Sequence, residues 1–186
     1  MKPFTRISST RPFLLAFLFC LPWAAQSTPT NNVVLAAHSQ DLVVVQDGQF
    51  VSFKSKTYFS APYTVLYFGA GWCPDCRRFS PALVEAYDRQ PPAHRRFEVL
   101  LLTMDQSAGD LRKFMQNEKM KWPAVEFEKV AQAADLKKYY SGHGIPCLTV
   151  IGPDGSVVLQ SKDDQDAKEI LKELENFVAK EPSKAK

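Results

Sequence analysis

The stretch Cys73-Pro74-Asp75-Cys76 constrains this chain more than any other, because of what flanks it. An apolar run over residues 64–68 precedes it, and Phe79, Leu83, Ala86 and Tyr87 follow at helical spacing. A strand therefore delivers Cys73 to the start of a helix. There the unpaired N–H groups and the positive end of the helix dipole favour negative charge on sulfur, and the thiolate is the nucleophile of thiol chemistry. Pro74 suits the first helical turn, having no N–H to leave unpaired and a φ that is already helical. Cys73 is thus the expected nucleophile. Cys76, one turn further in, is the expected resolving thiol that closes a short disulfide ring. Pro74 and Asp75 lie between them as the residues that tune the pair: a carboxylate ~6 to 7 Å from a sulfur disfavours the thiolate by about 1 kcal/mol.

Residues 1–27 read as an export signal. Lys2, Arg6 and Arg11 precede an apolar core over residues 13–21, and the segment ends in small residues, with cleavage expected after Ala25 or Ser27. The core is far short of the ~20 apolar residues that span a bilayer, so no stable membrane insertion is expected once it is removed. Cys20 does not mark a lipid attachment site, because bulky Phe19 precedes it. The leader holds three of the 23 basic residues and none of the 20 acidic ones, which leaves 20 of each sign. Without a residual positive field, nucleic acid is excluded as an electrostatic partner. About 160 residues remain, one domain's worth and enough for a core without staples. Three cysteines remain, an odd number that does not suit a disulfide scaffold.

Residues 28–40 are polar and are expected to form a loose N-terminal arm, with the domain spanning residues 41–180 and a charged tail at 181–186. Asp47-Gly48 between two β-rich runs, residues 42–45 and 49–53, predicts a hairpin. Residues 63–68 predict a buried central strand, followed by a helix to Arg89 with Pro81 inside it and Pro91-Pro92 as its stop. Residues 97–103 predict a parallel neighbour. Ser107 and Asp110 are spaced to cap a short helix carrying Leu111, Phe114 and Met115. A further helix is expected over residues 130–140, then a hairpin around Pro153-Asp154-Gly155, then a helix with Ala167, Ile170, Leu171, Leu174, Phe177 and Val178 on one face. This order describes an α/β fold: a mixed central sheet covered by helices on both faces.

Several blocks carry a resemblance. Tyr67-Phe68, Ala70, Trp72-Cys73-Pro74, Cys76-Arg77, Phe79, Pro81 and Tyr87-Asp88 form one; Trp122-Pro123-Ala124-Val125, Gly144-Ile145-Pro146 and Gly152-Pro153-Asp154-Gly155 form the second. Across about residues 42–178 the chain resembles thioredoxin-fold proteins, most of all the tryparedoxin and nucleoredoxin branch. Three features depart from that branch: Asp75 where proline is more frequent, Cys147 where threonine is usual, and the leader. The resemblance implies a thiol-disulfide oxidoreductase with a thioredoxin-like fold. It also implies a cis proline at Pro146, substrate contacts through Trp72, Ile145 and Pro146, and Tyr67 in the place where thioredoxins bury an acid beneath the pair.

The partners so implied are a disulfide-containing protein substrate and an upstream thiol electron donor, with the chain itself a monomer. No glycine-rich phosphate loop is present, so no nucleotide or flavin cofactor is expected. Two other classes compete. Cys73, Cys76, His143 and Cys147 make a C-x2-C plus H-x3-C set that could hold tetrahedral zinc, and the chain could be a non-catalytic interaction domain. Cys147 opens an apolar run and faces either the core, as a small buried thiol, or Cys73, as a third reactive thiol. His38 and His94 have no partner in the sequence pattern and are expected to be solvated.

Overall fold

The computed structural model describes residues 33–55, 57–162 and 167–180. The leader, the first part of the arm (residues 28–32) and the tail at 181–186 lie outside the described residues.

Period-two alternation in three apolar strands builds the centre of the molecule. β3 (Tyr63–Gly69) pairs in parallel with β4 (Phe97–Thr103) and antiparallel with β6 (Cys147–Ile151). Val65, Tyr67, Val99, Leu101, Leu148 and Val150 point into one core layer; Leu66, Phe68, Leu100, Leu102, Cys147 and Ile151 point into the other. Because both faces are buried, these strands are predominantly apolar, with Thr64, Glu98, Thr103 and Thr149 as their buried polar residues. β1 (Leu42–Gln46), β2 (Gln49–Ser52), β5 (Ala124–Val125) and β7 (Val157–Gln160) complete a seven-stranded sheet in the order β2-β1-β5-β4-β3-β6-β7. The mixed sheet covered by helices is the architecture expected. The β1–β2 turn uses Asp47 and Gly48 at φ 49° and 74°, the left-handed pair of a tight hairpin.

The first core layer is closed by α2 (Pro74–Asp88) through Phe79 and Leu83, by α3 (Ala108–Asn117) through Leu111 and Phe114, and by α6 (Ala167–Lys180) through Ile170, Leu171 and Leu174. Ser107 caps α3 as expected, its hydroxyl accepting the Asp110 N–H at 3.1 Å. α2 continues through Pro81 to Asp88. Among the described residues no helix is long and apolar enough to cross a membrane.

Two expectations are corrected. The fold does not begin after Gln40: α1 (Val33–Ala37) buries Leu35 completely in the second layer, and His38 Nε2 pairs with Asp135 Oδ2 at 2.8 Å, so His38 is not a free solvated ring. The helix expected over residues 130–140 is two short ones, α4 (Phe127–Val130) and α5 (Ala134–Lys137). Leu136 and Tyr139 can then reach the sheet while the turn at Ala131 absorbs the change of direction.

Candidate functional site

β3 runs out at Gly69, and the chain turns through Ala70, Gly71 and Trp72 into α2. Cys73 is the N-cap residue: its backbone is extended (φ −80°, ψ 117°) and its sulfur accepts the Cys76 N–H at 3.2 Å. Pro74 occupies the first helical turn, as its fixed φ dictates. The Cys73 thiol also reaches the Ile145 carbonyl oxygen at 3.4 Å. Ile145-Pro146 is a cis peptide, as the resemblance implied, and the loop carrying it faces the start of α2. Cys73 keeps 5 % of its surface exposed and Cys76 none. Burial, reinforced by a hydrogen bond with Cys73, pushes the Cys76 thiol up to about 12. The two sulfurs are therefore inequivalent: one caps the helix at the rim, the other sits behind it as a protonated thiol.

Trp72 is 59 % exposed and is no core residue. Its indole is nonetheless held, because Nε1–H donates to the Met104 carbonyl at 3.0 Å. An apolar plate thus stands beside Cys73 at the carboxyl ends of the parallel strands, where α/β sheets meet their ligands. Clefts flank the helix start. One, of about 270 Å³, lies among Asp75, Arg78, Phe79, His143, Ile145 and Pro146; the other, of about 410 Å³, lies among Trp72, Arg77 and Phe114.

Asp75 sits on the exposed side of the first turn, where its carboxylate pairs with the Arg78 guanidinium. The field it was expected to place on Cys73 is thereby countered by a positive group on the same turn. Cys147 is 1 % exposed and belongs to the second core layer, its sulfur 3.5 Å from the Ser141 hydroxyl. Cys73 and Cys76 belong to the first layer. The structure therefore places the third thiol in the core and not against Cys73. It follows that Cys73, Cys76, His143 and Cys147 do not converge; among the described residues no three His, Cys, Asp or Glu side chains are arranged to hold a metal ion.

Two contributors escaped the sequence reading. Asp105, just past β4, accepts the Gly71 N–H at 2.9 Å and the Thr103 hydroxyl at 2.9 Å. Burial raises its carboxyl, and these donors pull it back. It anchors the turn that presents Trp72 and Cys73; its place at the carboxyl end of a parallel strand was the available signal. Ser80 is the other. Its hydroxyl donates to the Cys76 carbonyl at 2.8 Å and lies 3.0 Å from the Tyr67 hydroxyl, which itself donates to that carbonyl at 3.5 Å. Tyr67 does lie beneath the pair, and Gly69 makes room for it: a Cβ there would sit 2.7 to 2.9 Å from the ring and its oxygen.

A dithiol that caps a helix and faces a cis-proline loop defines the class: thiol redox proteins built on the thioredoxin-like fold. The family model described as Thioredoxin-like matches residues 62–157, just over half of the chain, and the chain belongs to that family. It is 31 % identical over 113 residues to the nucleoredoxin of Xenopus laevis, covering 61 % of this chain and 26 % of that protein. It is 35 % identical over 94 residues to the tryparedoxin of Trypanosoma brucei brucei, covering 50 % of this chain and 63 % of that protein. The match thus spans about a quarter of the nucleoredoxin's length. Among solved structures, tryparedoxin from Trypanosoma brucei superposes with a TM-score of 0.57 at 26 % identity, covering 79 % of this chain and 94 % of that one. Tryparedoxin I from Leishmania major gives 0.56 at 27 %, covering 75 % and 94 %.

Proposed function

We propose that this chain is an exported thiol-disulfide oxidoreductase, periplasmic or secreted, that reduces protein disulfides through Cys73 and Cys76. The carrying observation is the Cys73 sulfur, held at the helix start by the Cys76 N–H and set against the Ile145 carbonyl. The amide and the helix dipole stabilise charge on that sulfur. Cys73 attacks a substrate disulfide, forming a mixed disulfide; Cys76 then attacks Cys73 and releases the reduced substrate. Trp72 supplies an apolar contact beside the exchanging sulfurs, and the Ile145-Pro146 loop borders the substrate chain. An upstream thiol donor returns the pair to the dithiol. The leader at residues 1–27 supports export, and the even balance of charge in the remainder supports a protein partner rather than nucleic acid.

Two variants test the assignment. Cys73→Ser should abolish reduction of disulfide substrates, while Cys76→Ser should accumulate covalent complexes that added dithiol releases. Trapping by the Cys73 variant would reverse the roles. N-terminal sequencing of protein from the native host should begin near Gln26 or Thr28, and an intact Met1 would refute export.

A further inference from the structure

The Ile145 carbonyl can face Cys73 only while the segment before it holds still, and that segment packs poorly by itself. Gly142 and Gly144 take the left-handed φ values 85° and 107°. Among the described residues, no atom beyond their chain neighbours lies within 4 Å of where a Cβ would stand on either. Residues 142–144 are exposed, and glycine gives such a stretch many other conformations to visit. What fixes it comes from its base. The Tyr139 carbonyl accepts the Thr149 hydroxyl at 2.7 Å and the Gln160 amide at 2.8 Å, and the Tyr139 hydroxyl donates to the Gly155 carbonyl at 2.7 Å. Tyr140 follows. Its ring lies against Phe68, with centroids 5.3 Å apart, and its hydroxyl accepts the Gly144 N–H at 3.1 Å. Phe68 belongs to β3, the strand that delivers Cys73, while Gly144 precedes Ile145, whose carbonyl the Cys73 thiol reaches at 3.4 Å. One side chain thus ties the strand behind the nucleophile to the loop in front of it.

We propose that Tyr140 is a positioning residue for peptide substrates: its hydroxyl holds the Gly144 amide, so that the Ile145-Pro146 segment is set before the chain that carries the disulfide arrives. The inference rests on the dithiol reading above. The ring alone satisfies Phe68, and the hydroxyl is the part that the loop uses. In the step it serves, the Cys73 thiolate attacks one sulfur of the substrate disulfide. The bond from Cys73 to that sulfur forms as the disulfide breaks, and the electron pair leaves on the other sulfur, which takes a proton from solvent. Tyr140 touches none of these atoms. Without its hydroxyl, each incoming peptide must order the loop, and that cost falls on binding. A disulfide that has no peptide backbone makes no use of the loop and escapes the cost.

Tyr140→Phe keeps the ring and removes the hydroxyl. Mixed-disulfide formation is followed by acid quench in single turnovers, with an alanine-flanked peptide disulfide and with hydroxyethyl disulfide, which has no peptide backbone. Loss of one neutral hydrogen bond corresponds to a rise of about three- to tenfold in the half-saturating peptide concentration, with the maximal rate changed less than about twofold. The rate with hydroxyethyl disulfide should stay within about twofold of the parent, which also shows that the variant is folded around Cys73. In the same variant the Gly144 amide should exchange its hydrogen faster than in the parent. An unchanged half-saturating concentration overturns the proposal. Equal slowing with both disulfides overturns it as well, since that marks a general packing role. If the parent forms no mixed disulfide with either probe, the dithiol reading fails and takes this inference with it; a reactive parent with an indistinguishable variant sinks this inference alone.

Discussion

Phe68 faces Cys147 across the antiparallel β3–β6 pair, and both side chains lie in the core layer behind the sheet, away from Cys73 and Cys76. Because side chains alternate along a strand, Cys147 cannot be brought to the front without shifting β6 by a residue, which would turn all of its neighbours over as well. Peptide mapping of air-oxidised protein should therefore find a Cys73–Cys76 linkage alone. Cys147 should resist alkylation until the protein is unfolded. A substantial Cys73–Cys147 species would contradict the observed register.

Asp105 holds the Trp72 turn from a different strand, and its removal should be felt in both stability and rate. Asp105→Ala leaves the Gly71 N–H and the Thr103 hydroxyl without their acceptor. The expected loss is about 1 to 3 kcal/mol, measured by urea unfolding. Turnover should fall by roughly tenfold as the loop before Cys73 loosens, a small geometric slip being enough for such a loss. Full activity in a destabilised variant would show that Asp105 supports the fold without positioning Trp72 and Cys73.

Asp75 should matter less than its place between the cysteines suggested. It is exposed and paired with Arg78, so Asp75→Asn should raise the reduction potential by less than about 10 mV. Arg78→Ala unmasks the carboxylate and should lower the potential, by up to about 20 mV, the equivalent of ~1 kcal/mol for two electrons. Redox titration against glutathione measures both, and the parent should lie below about −200 mV if it serves as a reductant. A value near −120 mV would instead make it an oxidant.

What the sequence made legible is what local patterning encodes. The Asp47-Gly48 turn, the buried runs of β3, β4 and β6, the Ser107 cap and the apolar face of α6 are each specified within a few residues, and each is found where expected. β5 is only two residues, Ala124 and Val125, and exists because β1 and β4 leave a gap that it fills; no periodicity can announce so short a strand. The polar look of residues 28–40 hid Leu35, a single anchor whose burial depends on β1 and α5 being present. In the site, Cys73, Cys76 and Pro146 were visible as motif residues. Asp105 and Ser80 were not, since their roles come from hydrogen bonds across the fold or along a helix turn and serines and aspartates are common at such positions. The zinc alternative looked sound as spacing alone; only the pleat of β6, which turns Cys147 to the far face, removes it.

The last expectation concerns pH. Glu98 lies on β4 facing Tyr87, whose hydroxyl donates to Oε2 at 2.6 Å, and Arg95, whose guanidinium is 3.7 Å from Oε1 and stacks over the Tyr87 ring at 4.2 Å. Despite these partners, burial raises its carboxyl from an ordinary 4.5 to about 7. A carboxyl raised on folding binds its proton more tightly in the native state than in the unfolded chain. Its contribution to stability is therefore greatest below pH 4.5, is lost progressively as pH rises toward 7, and is level above that. The loss amounts to on the order of a few kcal/mol across the window. Asp105, also raised, acts with the same sign, whereas the lowered Asp135 and Asp154 act oppositely and only at more acid pH. Glu98→Gln removes the titration, so urea unfolding at pH 5, 6 and 8 should show a falling series in the parent and a flatter one in the variant. Parallel series would mean that Glu98 is already ionised at pH 5, held so by Arg95 and Tyr87 against the pull of burial.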